Sequence, residues 1–226
     1  FELSRVFEDI GQPLPLEIMC LGGVYYRERK PSLWKEDARS FYIVKGMIED
    51  LFGDLHISGY AFSPSGEPFL HPGQSCEIRI SGSGIGFLGA VSPVVADRLD
   101  LKVPKPEIVV FEIDFDRLIS LIPASMEYSP IPKFPCIERD IAIIVDDKLS
   151  ASDIENLIRA YPSELIEDVS IFDFYKGKNI PDEKKSLAFT VRYRSDSRTL
   201  TEAEVEEMHL NILNYITAET GGKLRA

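Results

Sequence analysis

The chain has 226 residues, of which 44% are hydrophobic, a composition typical of folded rather than disordered proteins. It carries 25 Lys and Arg against 37 Asp and Glu, and this net charge of −12 argues against a basic surface that binds nucleic acid everywhere. No apolar run reaches the roughly 18 residues that a membrane span needs, so we expect no membrane partner. The chain opens on Phe1 without Met or a basic leader, from which we expect a fragment of a longer polypeptide.

The three cysteines, Cys20, Cys76 and Cys136, lie far apart and form no CxxC pair. This spacing argues against a disulfide framework or a zinc site, and it indicates reduced thiols in the cytoplasm. His71 and Cys76 are the only His and Cys close in sequence, and no signature of a His–Cys catalyst surrounds them. We therefore expect no metal site and no catalytic residue in this chain.

The first half is predicted to be rich in β-strands, because β-branched and aromatic residues dominate it and alternate with polar ones. A helix over Phe41–Phe52 has an apolar stripe and ends at Gly53, and a short helix is expected after Pro93. The predicted strands are Glu2–Phe7, Glu17–Tyr26, Ile57–Phe62, Cys76–Ser81, Ile85–Val91 and Ile108–Phe115.

A proline-rich segment separates the two halves. Four prolines fall between Ile122 and Pro135, which excludes the interior of a sheet or a helix there. We therefore predict a first domain over residues 1–125, a linker over residues 126–135, and a second domain over residues 136–226.

The second half follows the order β-α-β-β-α-β, which is the ferredoxin-like unit. Capping boxes are predicted at Ser152 with Glu155 and at Thr201 with Glu204, where the two helices begin. The predicted strands are Asp140–Val145, Val169–Tyr175, Ser186–Arg194 and Lys223–Arg225. Together with the strand-rich first half, this order predicts an α+β protein with antiparallel sheets.

A ferredoxin-like sheet has helices on one face only, so alternation along each strand separates core from open face. The predicted core set is Ile141, Ile143, Val145, Phe172, Phe174, Leu187, Phe189, Val191 and Tyr193. The predicted open-face set is Asp140, Ala142, Ile144, Asp173, Tyr175, Ser186, Ala188, Thr190, Arg192 and Arg194. Val169 and Ile171 do not fit this alternation, and a β-bulge or a covered corner would explain them.

The open face is suited to single-stranded RNA, because a base can stack on Tyr175 over the small Ala142 while Asp173 or Ser186 bonds its edge. Between Phe174 and Leu200 there are seven basic and three acidic residues, a local charge of +4 in an acidic chain. The alternative is a solvated face with ordinary surface lysines, which composition alone does not exclude.

Residues Gly84–Gly89 match the pattern GxGxxG, which also occurs in dinucleotide-binding proteins. That motif requires a strand before it and a helix after it, whereas Ser81–Gly84 is typical of a hairpin turn and Phe87–Val91 continues as strand. We therefore predict a β-hairpin, with Gly86 and Gly89 where another element approaches closely. A stand-alone enzyme that uses this segment for a nucleotide is the less favoured reading.

Several short motifs occur in order along the whole chain. In the second half they are Ile131–Pro135, Arg139–Ala142, Phe172–Gly177, Lys185–Phe189, Thr199–Thr201 and Gly222–Arg225. In the first half they are Phe1–Glu2, Arg5–Phe7, Trp34, Phe41–Tyr42, Lys45–Gly46 and His71–Gly73. Together these motifs resemble the β subunit of bacterial phenylalanyl-tRNA synthetases. Ile43 and Ser92 depart from the family pattern, and Glu138 adds negative charge near the open face.

The resemblance implies an (αβ)₂ enzyme that uses ATP and Mg²⁺ to join phenylalanine to tRNA(Phe), with the chemistry in the α subunit. This chain would then be a non-catalytic, class II synthetase-like core that docks on α, followed by an anticodon-binding domain. The residues implied for the anticodon are Ala142 and Tyr175 for stacking, and Asp173, Ser186 and Arg225 for polar contacts. Arg192 and Arg194 would steady phosphates. The alternative is a ferredoxin-like regulatory or protein-interaction module without RNA binding.

Overall fold

The computed structural model describes residues 1–27, 40–99, 108–125, 128 and 130–225. The chain forms two compact units, Phe1–Tyr128 and Ser129–Ala226. Trp34, one of the family motifs, and residues 126, 127 and 129 of the predicted linker lie outside the described residues.

The first unit is built on an antiparallel sheet of six strands, with the spatial order β1-β2-β6-β5-β4-β3. The strands are β1 (Glu2–Glu8), β2 (Leu16–Tyr26), β3 (Tyr60–Pro64), β4 (Leu70–Ile80), β5 (Ser83–Val91) and β6 (Ile108–Asp114). All six predicted strands are present. The largest difference is at β4, which begins at Leu70 rather than Cys76 and has an irregular register before Ser75.

Three helices of this unit lie within the described residues, and α1 (Ser40–Asp54) forms the core with one face of the sheet. Val44, Ile48 and Phe52 recur every four residues on α1 and are fully buried, because that spacing places them on one side of a helix. The predicted short helix is α2 (Pro93–Arg98), and a further one, α3 (Phe115–Ser120), was not predicted. Six residues are too few to show a helical period in the sequence.

The glycine-rich segment forms the predicted hairpin. Ser81 and Gly82 have positive φ values of 49° and 81° in the turn between β4 and β5. A Cβ atom at Gly86 would lie 2.1 Å from the backbone oxygen of Glu112 on β6, so only glycine allows β6 to approach this closely.

The second unit contains an antiparallel sheet of four strands in the order β10-β7-β9-β8, covered by two helices. Its elements are β7 (Ile137–Asp146), α4 (Ala151–Arg159), β8 (Ile166–Tyr175), β9 (Lys184–Tyr193), α5 (Glu202–Thr220) and β10 (Lys223–Leu224). If the four strands are numbered 1 to 4 along the chain, their spatial order across the sheet is 4-1-3-2, which confirms the predicted ferredoxin-like β-α-β-β-α-β fold.

One of the two predicted helix caps is wrong. Helix α4 begins after Ser150, whose hydroxyl accepts from the Asp153 backbone N–H at 3.0 Å while the Asp153 carboxylate accepts from the Ser150 N–H at 2.8 Å. The predicted cap, Ser152, is inside the helix, and an Asp is as good a partner as the expected Glu. Helix α5 begins after Thr201 with Glu204 as its partner, as predicted.

The predicted core faces of β7 and β9 are confirmed, since all seven of their predicted core residues are at most 1% exposed. The predicted burial of Phe172 and Phe174 on β8 is wrong, because these side chains are 58% and 59% exposed, while Val169 is buried. A shift in the pairing of β8 with β9 between Ile171 and Asp173 marks a bulge at Phe172, which resets the alternation along the strand.

Candidate nucleic-acid interface

The open face of the four-stranded sheet presents rows of side chains that cross its strands. Directly paired residues of antiparallel strands project to the same face, so the pairing defines each row. One row joins Ala142 on β7, Ala188 on β9 and Asp173 on β8. The next row contains Ser186 on β9 and Tyr175 on β8. The bulge in β8 therefore leaves both of its predicted site residues on the open face.

Arg225 reaches across this face from the end of β10. Its backbone N–H donates to the Ala142 carbonyl at 2.8 Å, which continues the pairing of β10 with β7 by one residue. Its guanidinium donates to the Ser186 hydroxyl at 3.4 Å, and its central carbon lies 5.3 Å from the centre of the Tyr175 ring. The structure thus brings together three predicted site residues that come from three different strands or their ends.

The cluster of Tyr175, Ser186 and Arg225 is partly closed to solvent. Ser186 is only 2% exposed, whereas Tyr175 is 38% exposed and Arg225 lies on the surface. On the loop after β8, a Cβ atom at Gly177 would lie 2.8 Å from the Tyr175 hydroxyl, so the absence of a side chain lets the loop pass against the ring. A ligand that contacts Ser186 must therefore displace the Arg225 side chain.

Arg192 lies further along β9 and Arg194 directly follows its last residue, and each already forms an ion pair with an acidic side chain. Arg192 forms an ion pair with Glu138 at 2.9 Å, and the hydrogen bond that its guanidinium donates to this carboxylate raises the pKa of the guanidinium. Arg194 pairs with Glu167 at 3.2 Å. The sequence indicated only Glu138 near this face, because Glu167 is far from Arg194 along the chain and reaches it from β8, the strand next to β9.

The positive charge predicted for residues 174–200 is also reduced by acids from outside that segment. Lys176 pairs with Asp147 at 2.8 Å, and Arg198 pairs with Glu204 at 2.7 Å. Arg225, by contrast, has no acidic partner within 4 Å among the described residues. The free cation nearest to Tyr175 and Ser186 is therefore Arg225, which the local charge count did not include.

Two further observations concern the described part of the chain. None of its helices is long and apolar enough to cross a membrane. Within the same residues, no three His, Cys, Asp or Glu side chains lie close enough together to hold a metal ion.

Two known protein families match different parts of the chain, and the boundary between the two matches lies close to the boundary between the two compact units. Residues 132–225 match the family described as ferredoxin-fold anticodon binding domain. Residues 1–115 match the family described as phenylalanyl tRNA synthetase beta chain CLM domain.

Individual relatives are similar over the entire chain. The phenylalanine–tRNA ligase beta subunits of Carboxydothermus hydrogenoformans, Geobacillus kaustophilus and Halalkalibacterium halodurans are 34%, 36% and 35% identical to it. The match covers 100% of this chain and 28% of each relative, so the chain spans little more than a quarter of their length. With both halves matched in this way, the chain belongs to the family of phenylalanyl-tRNA synthetase β subunits.

Proposed function

We propose that this chain is the tRNA-binding and α-subunit-docking part of a phenylalanine–tRNA ligase β chain, and that it positions the tRNA(Phe) anticodon for aminoacylation by the α subunit. The observation that carries this proposal is the cluster of Tyr175, Ser186 and Arg225 beside Asp173 and Ala142 on the open sheet face. The anticodon-binding family that matches the second unit supports the same assignment.

The chemistry of the cluster fits one flat base. The Tyr175 ring offers a stacking surface, and the small side chain of Ala142 on the same face leaves room for a flat base. An ionised Asp173 only accepts hydrogen bonds, whereas the Arg225 guanidinium only donates. A base edge that both donates and accepts satisfies both residues, and the Watson–Crick edge of guanine does so with its N–H groups and O6.

Arg192 and Arg194 have a weaker role in this proposal. Both project to the open face and would contact phosphates, but a phosphate must compete there with Glu138 and Glu167. We therefore expect Arg225 to contribute more to RNA affinity than either of them.

Titration with an anticodon stem-loop of tRNA(Phe) at low salt tests this assignment. Tyr175→Ala should weaken binding by about 1–3 kcal/mol, or roughly 5- to 150-fold, because one stacking surface is lost. Tyr128→Ala is the matched control, since Tyr128 is a well-exposed tyrosine outside the sheet. A loop whose first anticodon base is replaced should bind the unaltered chain as weakly as the cognate loop binds the variant.

Equal binding of the cognate and altered loops, with no effect of Tyr175→Ala, would contradict the proposed site. A lower affinity for every RNA in both variants would instead point to a general loss of structure, which thermal unfolding of the two variants would reveal.

The first unit, in this proposal, is a class II synthetase-like core that docks on the α subunit within an (αβ)₂ enzyme. Its antiparallel six-stranded sheet with a helix on one face supports that reading.

In this proposal, ATP and Mg²⁺ are used by the whole enzyme. Gly84–Gly89 lies within strand β5, so this segment does not form a phosphate-binding loop between a strand and a helix. We expect no phenylalanine-dependent ATP–pyrophosphate exchange from the purified chain, and measurable exchange would contradict this part of the proposal.

One observation favours the alternative of a protein-interaction module. Ile171, Phe172 and Phe174 on β8 are exposed apolar side chains close together in sequence. If the chain binds no anticodon loop but Phe172→Ser with Phe174→Ser weakens its association with the α subunit, this strand is a protein contact instead.

A further inference from the structure

A cavity of about 630 Å³ lies on the face of the six-stranded sheet that α1 leaves uncovered. Strands β1, β2, β5 and β6 form its floor. Phe69 and Phe87 form one wall, with ring centroids 5.4 Å apart in an edge-to-face contact. This cavity belongs to the first unit, so what it binds is independent of the RNA face proposed for the second unit.

A row of paired residues crosses the cavity floor, with Glu2 opposite Gly22 and Gly22 opposite Glu112, which in turn pairs with Phe87. Paired residues of antiparallel strands share a face, so the two carboxylates project into the same space. Their Cα atoms are roughly 10 Å apart, because two strand spacings separate them. A Cβ atom at Gly22 would meet only the Phe111 backbone oxygen, at 3.9 Å, so the gap between the carboxylates is open.

Two acidic side chains at this gap have no partner within the described residues. Neither Glu2 nor Glu112 has a hydrogen-bond or ion-pair partner there, whereas Glu77, beyond Phe87 in the same row, is paired with Arg79 at 3.0 Å. Burial and then the nearby carboxylates of Glu112, Asp114 and Asp116 raise the pKa of the buried Cys20 thiol, which lines the same cavity.

We propose that this cavity binds an organic ammonium ion, with the charged group between Glu2 and Glu112 and its aromatic or aliphatic body against Phe69 and Phe87. Carboxylates accept strong hydrogen bonds from an ammonium group, and aromatic faces attract cations. A carboxylate on the ligand would be repelled, so the site selects an amine over the corresponding amino acid or acid. A metal ion is not favoured, since no cluster of three potential ligand side chains lies within the described residues.

The probe for this proposal is 2-phenylethylamine, compared with 3-phenylpropionate, which has a body of similar size and the opposite charge. Titrations followed by backbone amide NMR should show the amine binding at least tenfold more tightly, a difference of about 1.4 kcal/mol. The amides of Gly22, Gly23 and Glu112 should shift, and raising the salt concentration should weaken the binding. Phenylalanine, with both charges, should bind less tightly than the amine.

Two variants test the site itself. Glu112→Gln removes one charge and should weaken amine binding at least fivefold, or about 1 kcal/mol. Gly22→Val fills the gap with a residue that favours strands and has room for its Cβ, so it should abolish binding while the sheet stays folded. Asp50→Asn, an exposed carboxylate on α1, is the matched control and should bind like the unaltered chain.

Equal affinity for the amine and the acid, or amine binding that survives both Glu112→Gln and Gly22→Val, would overturn the proposal. The titration is repeated in the full-length protein, where amine binding must persist. Its loss there would show that another part of the protein fills the cavity, which would overturn the proposal as well.

Discussion

A buried polar contact joins α5 to the sheet of the second unit. The Tyr193 hydroxyl and the His209 Nδ1 atom are 2.9 Å apart, with Tyr193 fully buried and His209 only 7% exposed. Burial lowers the pKa of His209 below its usual value of 6.5, although a hydrogen bond with the Asp140 backbone and the charges of Glu206 and Asp140 oppose this. The folded protein therefore holds His209 in its neutral form.

This contact predicts that the second unit loses stability in mild acid. Below about pH 6.5 the unfolded chain takes up a proton on His209 that the folded chain does not, so the free energy of unfolding falls as the pH falls. Hydrogen exchange of buried β9 amides at pH 7.5 and 5.5, corrected for intrinsic exchange rates, reports on this unit alone. His209→Gln should reduce the difference in protection between the two pH values.

The matched control for this experiment is His56→Asn. His56 is exposed in the first unit with a positive φ of 55°, a conformation that Asn tolerates. The His56→Asn substitution should leave unchanged the pH dependence with which the β9 amides are protected from hydrogen exchange. An equal pH dependence in His209→Gln and the unaltered chain would contradict the role assigned to His209.

At the scale of the element, the start of α4 distinguishes two serines that lie two residues apart. Ser150→Ala removes the hydroxyl that accepts from the Asp153 N–H and should cost about 1 kcal/mol of unfolding free energy. Ser152→Ala replaces a serine inside the helix with a better helix former and should change stability by less than about 0.5 kcal/mol. Urea denaturation of the two variants measures the difference, and a larger loss in Ser152→Ala would contradict the assigned cap.

Strand β8 shows how one extra residue changes the role of an element. Val169 and Ile171 pair with Val191 and Phe189 on the helix-covered face, and the bulge at Phe172 then places Asp173 opposite Ala188 on the open face. With strict alternation, Val169, Ile171 and Asp173 would all project to the same face. Val169 and Ile171 could then not face the helices while Asp173 faces the open side, which is why Val169 and Ile171 did not fit the predicted pattern. A bulge satisfies both, at the expense of leaving Phe172 exposed.

At the scale of the molecule, each compact unit has its own hydrophobic core. Every buried core residue of the second unit comes from within it, between Ile141 and Ile216, and the first has a separate core between Val44 and Leu118. We therefore expect residues 129–226 to fold alone and to unfold in one cooperative transition, measurable by calorimetry and circular dichroism. A broad, non-cooperative transition would show that the second unit depends on the first.

The amino-acid sequence by itself determined the order of elements and most of their faces. Alternation of side chains along a strand and the spacing of apolar residues along a helix are local properties, so Ile141, Leu187 and Phe189 were assigned to the core correctly. The ferredoxin-like order followed from the same local patterns. The family motifs, which are short and continuous, were also readable without the structure.

Tertiary structure alone decided which side chains meet across strands. Arg225 contacts Ser186 from 39 residues away, and Glu167 neutralises Arg194 from another strand, because strand register sets such neighbours and sequence distance does not. The same reason explains the gap between Glu2 and Glu112, which exists only because the pairing of β1, β2 and β6 places Gly22 between them. Local patterns assign a side chain to a face, and only the assembled sheet decides what stands beside it.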